Sequence, residues 1–261
     1  MSFGAIAEDY DRLRPGPPEE AVDWLLPEHC QIAVDLGAGT GLLTRLLARK
    51  VAQVIAVEPD DRMAAVLRAR SPGVHVMRGT GEAIPMADAS ADGVFVSSAW
   101  HWMDSGRAAG EIGRVLRDGG RFGVIWTGRD REVDWLREAG RQLMAATAGP
   151  DDQGQAHGEG APRSRRREVR LPEPGLFGNV GTASFRFTRA MTVTDIVDML
   201  ATYSGVITAS TQDRAAGLAR ARAVLEEWFP GGAAIDVPTR AWCWRADRAN
   251  RPPSAEVTSQ T

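Results

Sequence analysis

Two neighbouring segments of the chain read as apolar strands, and each ends in residues suited to binding a ligand. Residues 33–36, Ala-Val-Asp-Leu, run into three glycines at positions 37, 39 and 41, and residues 54–57, Val-Ile-Ala-Val, run into Glu58. Glycine lets a backbone come close to a ligand. An acid at the end of the next parallel strand can accept hydrogen bonds from both hydroxyls of a ribose. The two segments predict a pocket for a nucleoside.

The spacing of the glycines restricts which nucleoside-bearing ligand is expected. The dinucleotide fingerprint G-x-G-x-x-G would place its third glycine at position 42, where this chain has Leu42. The Gly-Lys-Ser/Thr sequence of the phosphate-binding loop is absent from this turn. A nicotinamide-dependent oxidoreductase is therefore disfavoured. The alternative that the glycines form only a tight strand–helix turn stays open, although Glu58 argues against it.

The first half of the chain alternates regularly between strand and helix patterns. Strands are predicted over 31–36, 52–57, 73–78, 92–98 and 121–127, and helices over 18–26, 41–49, 60–69 and 105–117. Such alternation is typical of an α/β fold with a parallel sheet and helices on both faces. Ligands of these sheets bind at the carboxyl ends of the strands, the edge at which the glycine turn and Glu58 are expected to lie.

The second half has a different pattern. A helix over 132–147 is followed by an exposed and mobile loop over 149–175, and then by a strand over 184–188, helices over 194–203 and 212–229, and a closing strand over 239–246. We expect a single domain over 1–249, in which 1–127 form the cofactor-binding core and 128–235 form a lid and acceptor region. Residues 250–261 are expected to be a disordered tail.

Composition and charge exclude several classes of protein. The formal net charge of −3 provides no basic field for nucleic acid, and the basic run 163–170 is interpreted as a solvated loop. Cys30 and Cys243 lie far apart and suggest no metal site. The N-terminal segment is acidic rather than a basic apolar leader, and no apolar run is long enough to span a bilayer. We predict a cytoplasmic protein without metal, nucleic-acid partner or membrane contact.

Several segments between about residues 8 and 127 resemble the class I S-adenosylmethionine-dependent methyltransferases of type 11. They are the glycine turn with Glu58-Pro59-Asp60, the stretches 79–85 and 97–102, and the turn 114–122, which is similar to the family's Leu-Lys-Pro-Gly-Gly motif. The His-Trp pair 101–102 and the opening Tyr10-Asp11 with Arg14-Pro15 are similar to the trans-aconitate-methyltransferase-like subset. The resemblance implies a Rossmann-like, seven-stranded, mostly parallel sheet with helices on both faces and a small helical lid.

The resemblance also implies S-adenosylmethionine as cofactor and assigns residues to it. Glu58 would hold the ribose, whereas Met63 would lie beside the adenine or simply in the core. Relatives often have an acid where this chain has Thr80, so the adenine contact here would come from Glu82 or from backbone near Gly81. The predicted cofactor-binding residues are Tyr10, Arg14, Asp35, Gly37, Ala38, Gly39, Glu58, Pro59, Met63, Gly81, Glu82, Ser98 and Ala99.

The N-terminal segment has two interpretations. Tyr10 and Arg14 would close over the cofactor, with Arg14 bound to its methionine carboxylate, or the segment would only cover the edge of the sheet. Ser98 and Ala99 are small and would let the methionine arm of the cofactor pass.

His101 is the candidate catalytic residue, because its ordinary pKa lies near neutrality and suits a general base. The alternative is a histidine that is bonded within its loop and orients the neighbouring tryptophans. Four aromatic residues of the second half suggest an apolar or planar acceptor, although they are also typical of a core: Trp126, Trp135, Tyr203 and Trp228.

The predicted function is transfer of a methyl group to a small-molecule acceptor, by in-line displacement in which alignment does most of the work. One alternative is a catalytically silent protein that binds S-adenosylmethionine as a regulator. A nucleic-acid methyltransferase is disfavoured by the acidic balance and by the absence of an Asn/Asp-Pro-Pro-Tyr/Phe element. The methylated atom, whether O, N, C or S, and the oligomeric state stay open.

Overall fold

A computed structural model describes residues 6–130, 132–147, 169, 171 and 175–250. The strands are β1 Ile32–Leu36, β2 Gln53–Val57, β3 His75–Met77, β4 Ala91–Ser97, β5 Leu116–Arg129, β6 Phe177–Met191 and β7 Ile235–Arg248. The helices are α1 Ala7–Leu13, α2 Glu19–Leu25, α3 Leu42–Leu47, α4 Asp61–Arg70, α5 Ser105–Val115, α6 Asp134–Thr147, α7 Val193–Ala201, α8 Ser204–Ile207 and α9 Thr211–Trp228. A short 3₁₀ helix spans Trp100–Trp102.

The seven strands form one sheet in the order β3-β2-β1-β4-β5-β7-β6. The first five are parallel, and β7 lies antiparallel between β5 and β6. The strand order reverses between β1 and β4, so a crevice is expected above the carboxyl ends of these two strands. The predicted α/β class, with seven mostly parallel strands and a closing antiparallel strand, is confirmed.

Apolar clusters cover both faces of the sheet, and a third cluster lies beside it. Val34, Val94 and Phe122 belong to the cluster on the α5 face, whereas Phe95 and Ile125 pack with α2 and α3 on the other face. Buried residues of α6, α7 and α9 form the third cluster, which also includes Leu13 of α1. The N-terminal helix and the late helices therefore share one core.

Polar side chains at helix starts explain where several helices begin. The predicted cap of α4 is confirmed, because Asp60 Oδ1 accepts from the backbone N–H groups of Arg62 and Met63. Asp104 caps α5 in the same way. Thr192 and Asp195 form a reciprocal capping box at α7. These local bonds fix the positions of the segments that precede the helices.

Some element boundaries were wrong. α5 ends at Val115 instead of position 117, and β5 begins at Leu116 instead of 121, with a register shift against β4 that accommodates the turn at Gly119. β6 and β7 extend well beyond 184–188 and 239–246 because they pair with each other along almost their whole length. α1 was not predicted. The loop over 149–175 lies almost entirely outside the described residues, as does the tail after position 250.

Within the described part of the chain, no helix combines the length and the apolar character needed to cross a bilayer.

Candidate functional site

The glycine turn between β1 and α3 lies at the point where the strand order reverses. Gly37 and Gly39 have φ angles of 68° and 57°, which favour glycine. The backbone N–H groups of Gly37 and Ala38 both donate to the carbonyl oxygen of Val57, at 2.8 and 3.1 Å. A Cβ atom on Gly37 would lie 2.8 Å from the Cβ of Ala99. The turn is therefore held against β2 on one side and against the segment after β4 on the other.

Glu58 connects the end of β2 to this turn. Its Oε2 accepts from the N–H of Gly39 at 2.7 Å, and its Oε1 accepts from the N–H of Asp60 at 2.8 Å. Burial raises the pKa of the Glu58 carboxyl. Each carboxylate oxygen has a second lone pair, so both can accept a further hydrogen bond. This is the geometry expected of an acid that binds two adjacent hydroxyls.

Asp35 lies fully buried beneath the turn, in β1. Its Oδ2 accepts from the hydroxyl of Thr44 at 2.5 Å, whereas its Oδ1 has no hydrogen-bond partner among the described residues. Burial, assisted by the charge of Glu58, raises the pKa of Asp35 to about 7. A buried oxygen without a partner is unusual. It suits a ligand that brings its own donor to this edge of the sheet.

A narrow cleft lies at the glycine turn. Of the predicted cofactor-binding residues, six line it: Tyr10, Arg14, Gly37, Ala38, Gly39 and Ser98. Thr127, near the end of β5, lines it as well and was not predicted. It lies at the same carboxyl edge of the sheet, so the rule that led to Ser98 could also have led to Thr127.

The other predicted residues lie beside or beneath this lining. Glu58 is bonded to the lining residue Gly39, whereas Asp35 is bonded to Thr44, which does not line the cleft. Pro59, Met63, Gly81, Glu82 and Ala99 do not line it.

Two of these residues have structural surroundings. Met63 is 5 % exposed and packs with Ala7 and Val66, as the core interpretation expected. Glu82 accepts from the N–H of Asp104 at 2.7 Å, which connects the loop after β3 to the start of α5.

Met103 was not predicted and lies between two of the predicted glycines. A Cβ atom on Gly81 would be 2.6 Å from the Met103 sulfur, and one on Gly37 would be 3.3 Å from its terminal methyl. Both glycines are therefore needed to accommodate the same side chain. No pattern in the sequence indicates this contact, because it joins three separate loops.

His101 lies in the 3₁₀ helix after β4 and is exposed. Its ring centroid is 4.9 Å from that of Trp102, which is 62 % exposed. His101 is not among the residues that line the cleft.

Arg14 joins the N-terminal segment to the late helices. Its Nε donates to the hydroxyl of Thr202 at 2.9 Å and its Nη2 to the Thr202 carbonyl at 3.0 Å. Its guanidinium carbon lies 4.0 Å from the ring centroid of Tyr203 and 5.1 Å from that of Tyr10. The segment after α1 is thus held in place over the cleft by the end of α7.

The aromatic residues of the second half have different environments. Trp126 and Trp135 are buried in apolar clusters, and Trp135 packs edge-on against Phe229 at 4.9 Å. Trp228 is 52 % exposed. Tyr203, beside Arg14, is the member of the group that contacts a residue of the cleft.

The fold and the cleft together define an α/β protein with a candidate ligand site at the switch point of its sheet. Residues 34–124 match the model of a methyltransferase domain. An uncharacterized methyltransferase of Mycobacterium tuberculosis is 41 % identical over 225 residues, which are 86 % of each chain. An uncharacterized methyltransferase-like protein of Schizosaccharomyces pombe is 31 % identical over 210 residues, covering 78 % of this chain and 77 % of that one.

Among solved structures, a putative type II methyltransferase from Anaeromyxobacter dehalogenans aligns with a TM-score of 0.66. It is 22 % identical, and the alignment covers 91 % of this chain and 99 % of that one. This likeness supports the fold. The extent of the sequence match to the mycobacterial protein shows the family. The chain belongs to the methyltransferase family and is an S-adenosylmethionine-dependent methyltransferase.

Proposed function

We propose that this enzyme transfers a methyl group from S-adenosylmethionine to a small-molecule acceptor in the cytoplasm. The observation that carries the proposal is the pair formed by Glu58 and Gly39, at the switch point of the sheet and at the base of the cleft. A carboxylate that is fixed by two backbone N–H groups is ready to accept the ribose hydroxyls.

The residues present fit S-adenosylmethionine. Glu58 would hold the ribose, and Arg14 on the opposite wall would bind the methionine carboxylate. The unpartnered Oδ1 of Asp35 would accept from the cationic amino group, directly or through water. When bound, S-adenosylmethionine supplies an electrophilic methyl group on a sulfonium.

The protein's part in the reaction is alignment and exclusion of water. Arg14 and Tyr10 line the cleft from the N-terminal side, and Thr202 and Tyr203 hold Arg14 there. We therefore propose that residues 1–127 form the cofactor-binding core, and that residues 128–235 cover it as a lid and shape the acceptor site.

Three finer assignments stay predictions: the trans-aconitate-like subset, the role of His101 as general base, and the adenine contacts near Gly81 and Glu82. The position of His101 outside the lining of the cleft favours the alternative in which it orients Trp102.

The proposal is tested by calorimetry with S-adenosylhomocysteine and NAD⁺ side by side, followed by transfer of a labelled methyl group to a panel of small acceptors. We expect S-adenosylhomocysteine to bind and NAD⁺ not to bind. Binding of NAD⁺ alone would overturn the proposal. Tight binding of S-adenosylhomocysteine without turnover of any acceptor would instead support the silent regulator.

A further inference from the structure

Arg129, at the carboxyl end of β5, has no part in the function proposed above. Its Nη1 atom is buried from solvent and has no hydrogen-bond partner among the described residues. A guanidinium remains charged and carries five donors, and buried donors in folded proteins are nearly always paired. The unpaired nitrogen therefore indicates a group that the described part of the chain does not supply.

The surroundings of Arg129 are built from three separate elements. A Cβ atom on Gly140 of α6 would lie 3.0 Å from Nη2 and 3.3 Å from Cζ, so the missing side chain at position 140 provides the space for the guanidinium. The ring centroid of Tyr203, after α7, lies 5.3 Å from the Arg129 Cζ. The guanidinium is thus held between a helix backbone and an aromatic ring.

Positive charge is in excess at this position. Arg14 lies 4.0 Å from the same Tyr203 ring, and no ion pair of Arg14 or Arg129 is found among the described residues. The acid next to Arg129 in sequence, Asp130, is already bonded to Arg186 at 3.1 Å and to Arg240 at 3.0 Å. Two guanidinium groups near one ring repel each other, and a nearby anion would relieve the repulsion.

Arg129 also lies next to the cleft. Side chains two residues apart in a strand point to the same face, about 7 Å apart along it, and Thr127 lines the cleft. The Thr127 hydroxyl is buried and has no partner among the described residues either. Arg129 is therefore one step further along the same face, beyond the donor site and beside Tyr203.

We propose that Arg129 binds an oxyanion of the methyl acceptor, so that the substrates are small molecules that carry a carboxylate or a phosphate. Arg129 is then a specificity-determining residue, and Gly140 and Tyr203 hold it in position. The inference rests on the proposed function, because it needs the donor to occupy the cleft beside Arg14.

The test is calorimetry on the full-length protein saturated with S-adenosylhomocysteine. The probes are phenylacetate with its neutral counterpart phenylacetamide, hexanoate with hexanamide, and phenyl phosphate. We expect at least one anion to bind more than tenfold more tightly than the neutral probes. Preference for phenylacetate or hexanoate would indicate a carboxylate site, and preference for phenyl phosphate would indicate a phosphate site. Arg129→Gln should reduce the preference to less than twofold and leave the affinity for S-adenosylhomocysteine within twofold.

Two further variants separate this role from a general effect on folding. Gly140→Ala keeps the charge but displaces the guanidinium, and it should also weaken the preference for anions. Arg141→Gln, at an exposed position of the same helix, should change nothing.

Three results would overturn the inference. The first is equal or absent binding of anions and neutral probes by the wild-type protein. The second is an anion preference that survives in Arg129→Gln. The third is a tenfold loss of S-adenosylhomocysteine affinity in Arg129→Gln, which would place Arg129 in the donor site. Failure of the wild-type protein to bind S-adenosylhomocysteine is a different result. It would remove the proposed function itself, and this inference with it.

Discussion

The donor side and the acceptor side of the cleft are built in different ways. On the donor side, backbone hydrogen bonds fix the glycine turn to Val57 and to the carboxylate of Glu58. On the acceptor side, at the end of β5, two buried side-chain atoms have no partner among the described residues: Thr127 Oγ1 and Arg129 Nη1. The donor side, which we call the donor wall, is thus preorganised by its own hydrogen bonds. The acceptor side, which we call the acceptor wall, has buried polar groups without a partner among the described residues.

The difference in construction corresponds to the different ligands of the two walls, the methyl donor and the methyl acceptor. The donor is the same molecule in every methyltransferase of the family, and most of its wall is a single contiguous stretch, residues 35–60, to which Tyr10, Arg14 and Ser98 are added. An acceptor differs from enzyme to enzyme, and its wall is assembled from side chains of β5, α6 and the end of α7. Buried donors without a partner favour a substrate that supplies matching hydrogen-bond acceptors, because any other substrate leaves these donors unpaired.

The substitution Gly37→Ala should have the largest effect. The φ angle of 68° and the approach of 2.8 Å to the Cβ of Ala99 leave no room for a side chain. Strain and overpacking each cost about 1–3 kcal/mol. We expect the affinity for S-adenosylhomocysteine to fall by about 100-fold or more in calorimetry, with a lower free energy of unfolding in urea.

The matched control for this variant is Gly110→Ala. Gly110 lies in α5, and a Cβ atom there would meet nothing within 4 Å. Alanine should stabilise the helix by about 0.5–1 kcal/mol and leave ligand affinity unchanged. Equal ligand affinity of Gly37→Ala and wild type would contradict the view that the donor wall is rigid.

Asp35 and Thr40 are exceptions on the preorganised side, since each has a side-chain oxygen without a partner among the described residues. The buried carboxyl of Asp35 predicts an unusual pH dependence. Burial raises its pKa in the folded protein to about 7, from an ordinary value of 3.8. Between these two pKa values the native state binds the extra proton, so wild-type stability falls as the pH rises. Relative to wild type, Asp35→Asn should gain about 2–3 kcal/mol between pH 5 and pH 7, and the difference should level off above pH 7.

The measurement is the free energy of unfolding in urea at four pH values for both proteins. Comparing them across pH removes the constant cost of placing an amide opposite Thr44. Asp61→Asn, which changes an exposed carboxylate paired with Arg78, provides the baseline. A stability difference between Asp35→Asn and wild type that does not change with pH would contradict the raised pKa of Asp35.

Glu58→Gln should have a smaller effect on the donor wall, because the amide keeps one acceptor oxygen. It loses the negative charge, and its NH₂ group would face a backbone N–H, either that of Gly39 or that of Asp60. We expect a loss of about 10- to 30-fold in S-adenosylhomocysteine affinity, the equivalent of one charge-assisted hydrogen bond. An unchanged affinity in calorimetry would mean that the ribose binds elsewhere.

The two walls also differ in how far they could be predicted from the sequence. The glycine turn, Glu58 and the strand order around them follow from short segments whose residues are neighbours in sequence. Arg14 and Thr202 are 188 positions apart, and their bond required the folded structure. The same holds for Arg129 beside Gly140, since neither residue shows a pattern of its own.

Strand lengths also could not be predicted from short sequence segments. Only 184–188 within β6 alternates clearly between apolar and polar residues, yet the strand spans 15 residues. β6 is the edge strand, and most of its length is stabilised by pairing with β7, so its burial pattern is weak. Met103 was missed for a related reason: its contacts with Gly37 and Gly81 depend on how three loops meet.

The smallest effect is expected at His101, in the 3₁₀ helix after β4. His101 is exposed, contacts Trp102 and does not line the cleft. We therefore expect His101→Ala to lower kcat by less than threefold, because only the orientation of Trp102 is affected. His29→Ala, in the exposed turn before β1 at the opposite edge of the sheet, is the control. A general base would give a different result: a loss of kcat of about 100-fold or more, together with loss of the rise of the pH–rate profile near neutrality. That result would show that closure moves His101 to the acceptor.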